Sequence, residues 1–215
     1  MGKTVLDPGA LLAPVPPVIV TCGDGNESNL ITIGWTGIVC TRPPMTYISV
    51  RPERHSYGII RRTGEFVINL TDSSMAKAAD LCGMYTGKKR DKAAMSGLTL
   101  ERSKAVACPS VVQSPLSLEC SVERVIPLGS HHVFMARIVS VSARDDLIDE
   151  NGRLCLDRAD LMAYAHGEYF ALGRKLGKFG FSAAKRQRRT SAKAGSPRGR
   201  TSAKAGSPRR HTSVK

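Results

Sequence analysis

Val18-Ile19-Val20-Thr21-Cys22 is a β-branched run that stops at Gly23-Asp24-Gly25-Asn26, four residues that favour a turn. Beyond it, residues 29–40 resume a strand-like alternation, with Ile31, Ile33 and Trp35 on one face and Thr32, Gly34 and Thr36 on the other. Thr46 to Val50 reads as a third strand and Phe66 to Leu70 as a fourth. Between these two, His55 to Arg62 fits a short helix. A second helix is expected over Ser74 to Met84, with Asp72 or Ser73 as its N-cap and Gly83 near its stop. Leu116 to Glu123 and Val133 to Ser142 alternate again, which predicts a long antiparallel pair turning around Pro127-Leu128-Gly129-Ser130. Many short strands with turn punctuation and few helices favour a mainly β, barrel-type fold over a parallel βαβ sheet.

The charge changes how the C-terminus is read. The chain of 215 residues carries a formal net charge of +14. Eleven of its 32 basic residues lie from Lys185 onward, where there is no acidic residue, so the first 184 residues hold 21 basic and 18 acidic groups. The body is therefore nearly neutral. The tail repeats RTSAKAGSPR at 189–198 and again at 200–209, with no apolar residue larger than alanine. It cannot bury enough surface to offset the entropy of ordering, and it reads as a disordered extension over 185–215. Such a tail can neutralise nucleic-acid phosphates, but without interleaved aromatics that contact is expected to be weak. Six cysteines spaced at least 12 residues apart exclude a CxxC motif and read as free thiols of a reducing cytoplasm. The N-terminus lacks the plan of a signal peptide, and no apolar run suggests a membrane span.

The candidate chemistry gathers between residues 31 and 60. Thr32, Gly34 and Thr36, with Gly37 next, keep one side of the second strand free of bulk, which lets a flat ring approach the backbone. The next strand ends in Ser49-Val50-Arg51-Pro52, and Arg54, His55 and Ser56 open a helix, where free N–H groups and the dipole favour an anion. Thr86-Gly87-Lys88-Lys89-Arg90-Asp91-Lys92 adds a flexible basic loop that can close on the same anion. A planar heterocycle at one end and a phosphate at the other fit this outline, as in flavin mononucleotide (FMN).

Other motifs do not compete. Gly83 and Gly87-Lys88-Lys89 have the wrong spacing for a P-loop, and no GxGxxG joins a strand to a helix. His131 and His132, being adjacent in a strand, point to opposite faces and would not chelate one metal. No catalytic acid, base or nucleophile stands out, and none is expected where a cofactor carries the chemistry.

The ordered set Pro14-Val15-Pro16-Pro17, Asn29-Leu30-Ile31-Thr32, Gly34-Trp35-Thr36-Gly37, Arg42-Pro43-Pro44, Ser49-Val50-Arg51-Pro52, Arg54, Ser56-Tyr57, Thr63 to Asn69, Gly87, Asp91-Lys92 and Tyr169 to Gly177 resembles the flavin reductase-like, FMN-binding split-barrel family, and within it the flavoredoxin branch. The resemblance covers about residues 10 to 182. It implies a Greek-key split β-barrel over residues 1–184, a homodimer, FMN as cofactor, and electrons taken from NAD(P)H or a redox protein. By position it implies that Thr32, Gly34, Trp35, Thr36 and Gly37 contact the isoalloxazine, that Ser49, Val50 and Arg51 contact the ribityl chain, and that Arg54, Ser56, Thr86, Gly87 and Lys92 hold the phosphate. The alternative for Trp35 is simple core packing.

Overall fold

The computed structural model describes residues 1–24 and 27–183, so Gly25 and Asn26 of the expected turn, and the repeat tail, lie outside the described residues. A first unit, Met1–Lys175, holds every strand, and the described part of the second, residues 176–183, consists of coil and turns. Strands β1 (Val18–Gly23), β2 (Ser28–Ile33), β3 (Thr36–Thr41), β4 (Pro44–Val50), β5 (Glu65–Asn69), β8 (Leu116–Leu128) and β9 (His131–Ala143) form one antiparallel sheet in the order β2-β1-β5-β8-β9-β4-β3. Two small pairs, β6 (Leu100–Glu101) with β7 (Ser110–Val111) and β10 (Met162–Ala165) with β11 (Glu168–Ala171), stand apart from it. Helix α1 (His55–Thr63) follows β4, and α2 (Ala76–Met84) and α3 (Lys92–Ser96) follow β5.

The single strand expected over residues 29–40 is two strands. The chain bends at Gly34 and Trp35, and β2 and β3 then occupy opposite ends of the sheet order. Ile33 and Thr36 are three residues apart and can be separated by no more than about 11 Å. The two outer strands of a seven-stranded sheet are thus drawn together at this point, so the sheet must curl into a barrel. The ladder does not close between them. One backbone bond, from Ser49 N–H to the Trp35 carbonyl at 2.9 Å, reaches across beside the bend. The bend also breaks the predicted face: Ile31 and Ile33 are buried, whereas Trp35 is 46% exposed. Core packing of Trp35 is thereby corrected.

Alternation along the strands divides the apolar residues into two layers. Val18, Val20, Ile31, Ile33, Ile48, Phe66, Ile68 and Phe134 fill the barrel, with Ile59 and Ile60 of α1 packed against them. The intervening residues Ile19 and Leu30 face outward and are covered by Met75, Ala78, Ala79 and Cys82 at the start and along the length of α2. The entry to α2 is a 3-10 turn, Ser73–Met75, whose cap is Asp72: its carboxylate accepts from the Ser74 N–H at 3.1 Å. Helix α1 ends at Gly64, whose φ of 71° is a left-handed conformation that only glycine adopts without strain. The hairpin β8–β9 is longer than the alternation indicates, at 13 residues per strand. Beyond Val122 neither face of β8 is fully buried, so the sequence there has no reason to alternate.

All six cysteines are free thiols, five of them buried. Burial pushes the Cys22 and Cys120 thiols up to about 12. Among the described residues no helix is long and apolar enough to cross a membrane.

Candidate functional site

Two adjoining cavities open along the seam between β2 and the end of β4. The larger, about 550 Å³, lies beside the bend and is lined by Thr32, Gly34, Trp35, Ser49, Val50, Arg51 and Arg54 among the expected residues. The smaller, about 230 Å³, lies toward the start of β2 and contains Arg51, Arg54, Ser56, Thr86, Gly87 and Lys92. Ile31, Arg51 and Arg54 belong to both. Eleven of the thirteen expected residues are therefore brought together along one seam. Thr36 and Gly37 are not: the Thr36 hydroxyl donates to the Tyr47 carbonyl at 2.6 Å, and Gly37 packs beside the Tyr47 ring, both within the β3–β4 pair. Thr32 lines the cavity with its hydroxyl already engaged, donating to the Ala79 carbonyl of α2 at 2.5 Å.

The smaller cavity is built by a chain of polar contacts. Arg54 occupies the N-cap position of α1 in extended conformation, makes no capping bond with its side chain, and no acidic residue stands in the first turn. Ser56, one residue into the helix, is 1% exposed, and its oxygen accepts from the Asn29 side-chain amide at 2.7 Å. The Asn29 amide oxygen in turn lies against Gly87: a Cβ at that position would sit 2.0 Å from it. Glycine is required at residue 87 for this close approach.

Lys92 departs from the flexible-loop expectation. It is the first residue of α3, is 6% exposed, and its ammonium donates to the carbonyls of Leu30 at 2.7 Å and Cys82 at 2.8 Å. An ammonium has three protons, so two fixed bonds hold it in place and leave one for a ligand in the cavity. Burial lowers its pKa, an effect that the nearby Arg54 charge reinforces. Lys88, Lys89 and Arg90, by contrast, are exposed and line neither cavity.

The larger cavity has aromatic walls. Trp35 meets His131 edge-on with ring centres 4.5 Å apart, and Tyr164 and Tyr169 pack edge-on at 5.2 Å. Burial lowers the His131 pKa, and Arg51 and Arg54 push it the same way. The Tyr169 hydroxyl is pushed up to about 12, by burial first and then by the Asp80 carboxylate beside it. His132 points away from His131, its Nδ1 lying 2.8 Å from the Tyr57 hydroxyl.

Asn29, Asp80, His131, Tyr164 and Tyr169 line these cavities without having been predicted. A buried asparagine at the head of an otherwise apolar strand was the one legible signal. Tyr164 reaches the site through an isolated pairing with Val15, 149 residues away in sequence, and nothing local announces that.

The residues fit a flavin with a terminal phosphate. Aromatic rings flank the wide end, two arginines stand at the junction, and a buried ammonium and a helix N-terminus meet at the narrow end. Comparison with known proteins identifies the family. A family model described as flavin reductase like domain matches residues 11–173. The flavoredoxin of Desulfovibrio vulgaris (Miyazaki F) is 29% identical and superposes with a TM-score of 0.78 over 85% of this chain and 99% of its own. A flavoredoxin from Methanosarcina acetivorans, 22% identical, shares the fold at a TM-score of 0.76 over 85% of this chain and all of its own. The NADH-dependent FMN reductase AsuE2 of Streptomyces nodosus subsp. asukaensis is 26% identical over 141 residues, 64% of this chain and 73% of the relative. The chain belongs to the flavin reductase-like family of split-barrel proteins, in its flavoredoxin branch.

Proposed function

We propose that the chain binds FMN along the β2–β4 seam and works as an oxidoreductase, taking electrons from NAD(P)H or a redox protein and passing them to free flavin or a downstream acceptor. The observation that carries this reading is the pair of adjoining cavities, aromatic at one end and cationic at the other, with Arg51 and Arg54 common to both. When bound, FMN supplies hydride acceptance and the release of electrons singly or in pairs. The protein's part is to hold and shield. Lys92, Arg54 and the first turn of α1 hold the phosphate, Ser49 and Arg51 meet the ribityl chain, and Trp35, His131, Tyr164 and Tyr169 exclude water around the ring.

FMN is favoured over riboflavin by the cationic end. Arg54→Ala removes a charge-assisted contact of about 1.5–3 kcal/mol, so the FMN dissociation constant should rise about ten- to a hundredfold. Riboflavin, lacking the phosphate, should bind equally to both proteins. An equal loss for both ligands would make Arg54 structural and overturn its assignment. The visible spectrum of the purified protein tests the cofactor itself.

A second reading, a flavoredoxin-type electron-transfer protein that retains its FMN, is favoured by the similarity to the Desulfovibrio flavoredoxin over nearly the whole of that chain. Oxidation of NADH or NADPH stimulated by added free flavin supports the reductase, and its absence with tightly held FMN supports the carrier. The exposed apolar residues of β3, Ile38 and Val39, and those of the N-terminal segment, Leu6 and Leu12, support a homodimer, which light scattering would test. Six free thiols support a cytoplasmic setting.

A further inference from the structure

The segment that closes the seam continues past it into solvent. Met84 ends α2 and lines the ring cavity, yet it is 72% exposed. Tyr85 follows, lining the smaller cavity, with the Arg90 guanidinium 4.6 Å over its ring. Lys88, Lys89 and Arg90 then stand in a row, exposed and outside both cavities. None of the three forms an ion pair with a described carboxylate; the pairs formed by other cations account for Glu53, Asp72, Asp146 and Asp149 elsewhere. Asp91, the nearest acidic residue in sequence, caps α3 by accepting from the Ala94 N–H.

We infer that this segment is the docking surface for an acidic electron-carrier protein. An exposed methionine and an aromatic ring beneath an arginine provide the desolvated centre that protein interfaces favour, and the unpaired lysines provide a rim that attracts negative charge. Three loop cations are fewer than the six to ten phosphate contacts of a typical nucleic-acid binder, which disfavours that partner. The patch also borders the ring cavity through Met84, so a carrier seated on it lies at the mouth through which electrons would pass. Each docked carrier gives up one electron. Two carriers are oxidised for each two-electron reduction in the cavity, with two protons drawn from solvent. This inference rests on the flavin reading above.

The test is calorimetric titration of the full chain with a small, strongly acidic two-iron ferredoxin at low and high ionic strength. Lys88→Glu/Lys89→Glu should raise the dissociation constant about tenfold or more at low salt, with the difference shrinking as salt screens it. Flavin content and the melting temperature of this variant should match those of the parent. The basic tail is controlled by Lys193→Glu/Lys204→Glu, which should change the affinity much less. Stopped-flow reduction by the same ferredoxin should slow in the loop variant and not in the tail variant. The inference is overturned if the loop variant binds ferredoxin as the parent does, if the tail variant accounts for the loss, or if the loop variant loses only oligonucleotide binding. A protein that binds no flavin yet binds ferredoxin through the loop would overturn the flavin reading and leave the docking surface standing.

Discussion

The side-chain amide of Asn29, at the head of β2, donates to the hydroxyl oxygen of Ser56 in α1 across 2.7 Å, with both residues buried. This bond ties the strand to the helix start at the cationic end of the seam. Ser56 therefore has a structural role beside the phosphate contact proposed for it. Ser56→Ala leaves a buried amide hydrogen without its acceptor, which costs about 1–3 kcal/mol. The melting temperature should fall by about 2–4 °C for each kcal/mol lost in a domain of this size. Circular dichroism melts of the flavin-free protein check this, and an unchanged midpoint would show that the bond is dispensable.

Gly87→Ala should damage the same end by a different route. Its Cβ would enter the space of the Asn29 amide oxygen, so the asparagine must leave its bond to Ser56. FMN affinity should fall about tenfold or more, comparable to losing one or two buried polar contacts. In an Asn29→Ala background the same substitution should cost little, because the colliding group is gone. Additive losses in this double-mutant cycle would disprove the steric account.

Lys92 gives the site a pH dependence of definite sign. Burial lowers its pKa in the folded protein below the ordinary lysine value. The unfolded chain thus binds this proton more tightly, so the residue's contribution to stability is least favourable below the folded pKa and improves as pH rises from there to about 10.4. Ligand affinity moves the other way. FMN should bind more weakly as pH climbs through the folded pKa and the ammonium is lost, while riboflavin stays level. Lys92→Met should weaken FMN at neutral pH and flatten its profile. Fluorescence titrations between about pH 7 and 10 would decide it.

His131 reports on the two arginines that join the cavities. Its pKa is lowered by burial and then by the charges of Arg51 and Arg54. Arg51→Gln should raise the His131 pKa toward the ordinary histidine value, and Arg54→Gln should do so to a smaller degree. Proton NMR titration of the imidazole measures both shifts directly. A downward shift in either variant would contradict the electrostatic picture.

Much of the barrel was legible from runs of β-branched and aromatic residues bounded by turn signals. Ile31 and Ile33, and Phe66 and Ile68, mark an inward face, whereas β1 is buried on both faces and reads only as a β-branched run. The bend at Gly34 and Trp35 was hidden, because the alternation runs straight through it and nothing in the pattern reveals that the two halves part company. The same bend is why Thr36 and Gly37, placed at the ring by a single-strand reading, lie instead beside Tyr47. The cationic residues were legible because they cluster at a strand end and a helix start. Tyr164 and Tyr169 were not, since only the pairing of β10 with β11 and the contact with Val15 bring them to the seam.

The bend has a mechanical consequence. Gly34 and Trp35 tether the two sides of the seam, so at that end they can part by only a few ångströms before the chain is taut. At the far end Asn29 faces Ser56 and Gly87, and the contacts across the seam there are made by side chains. The covalent tether at the bend therefore limits any parting of the seam most strictly beside Trp35. If a phosphate binds at the other end as proposed, a ligand touching both Arg54 and Lys92 would join the two sides there without any covalent tether.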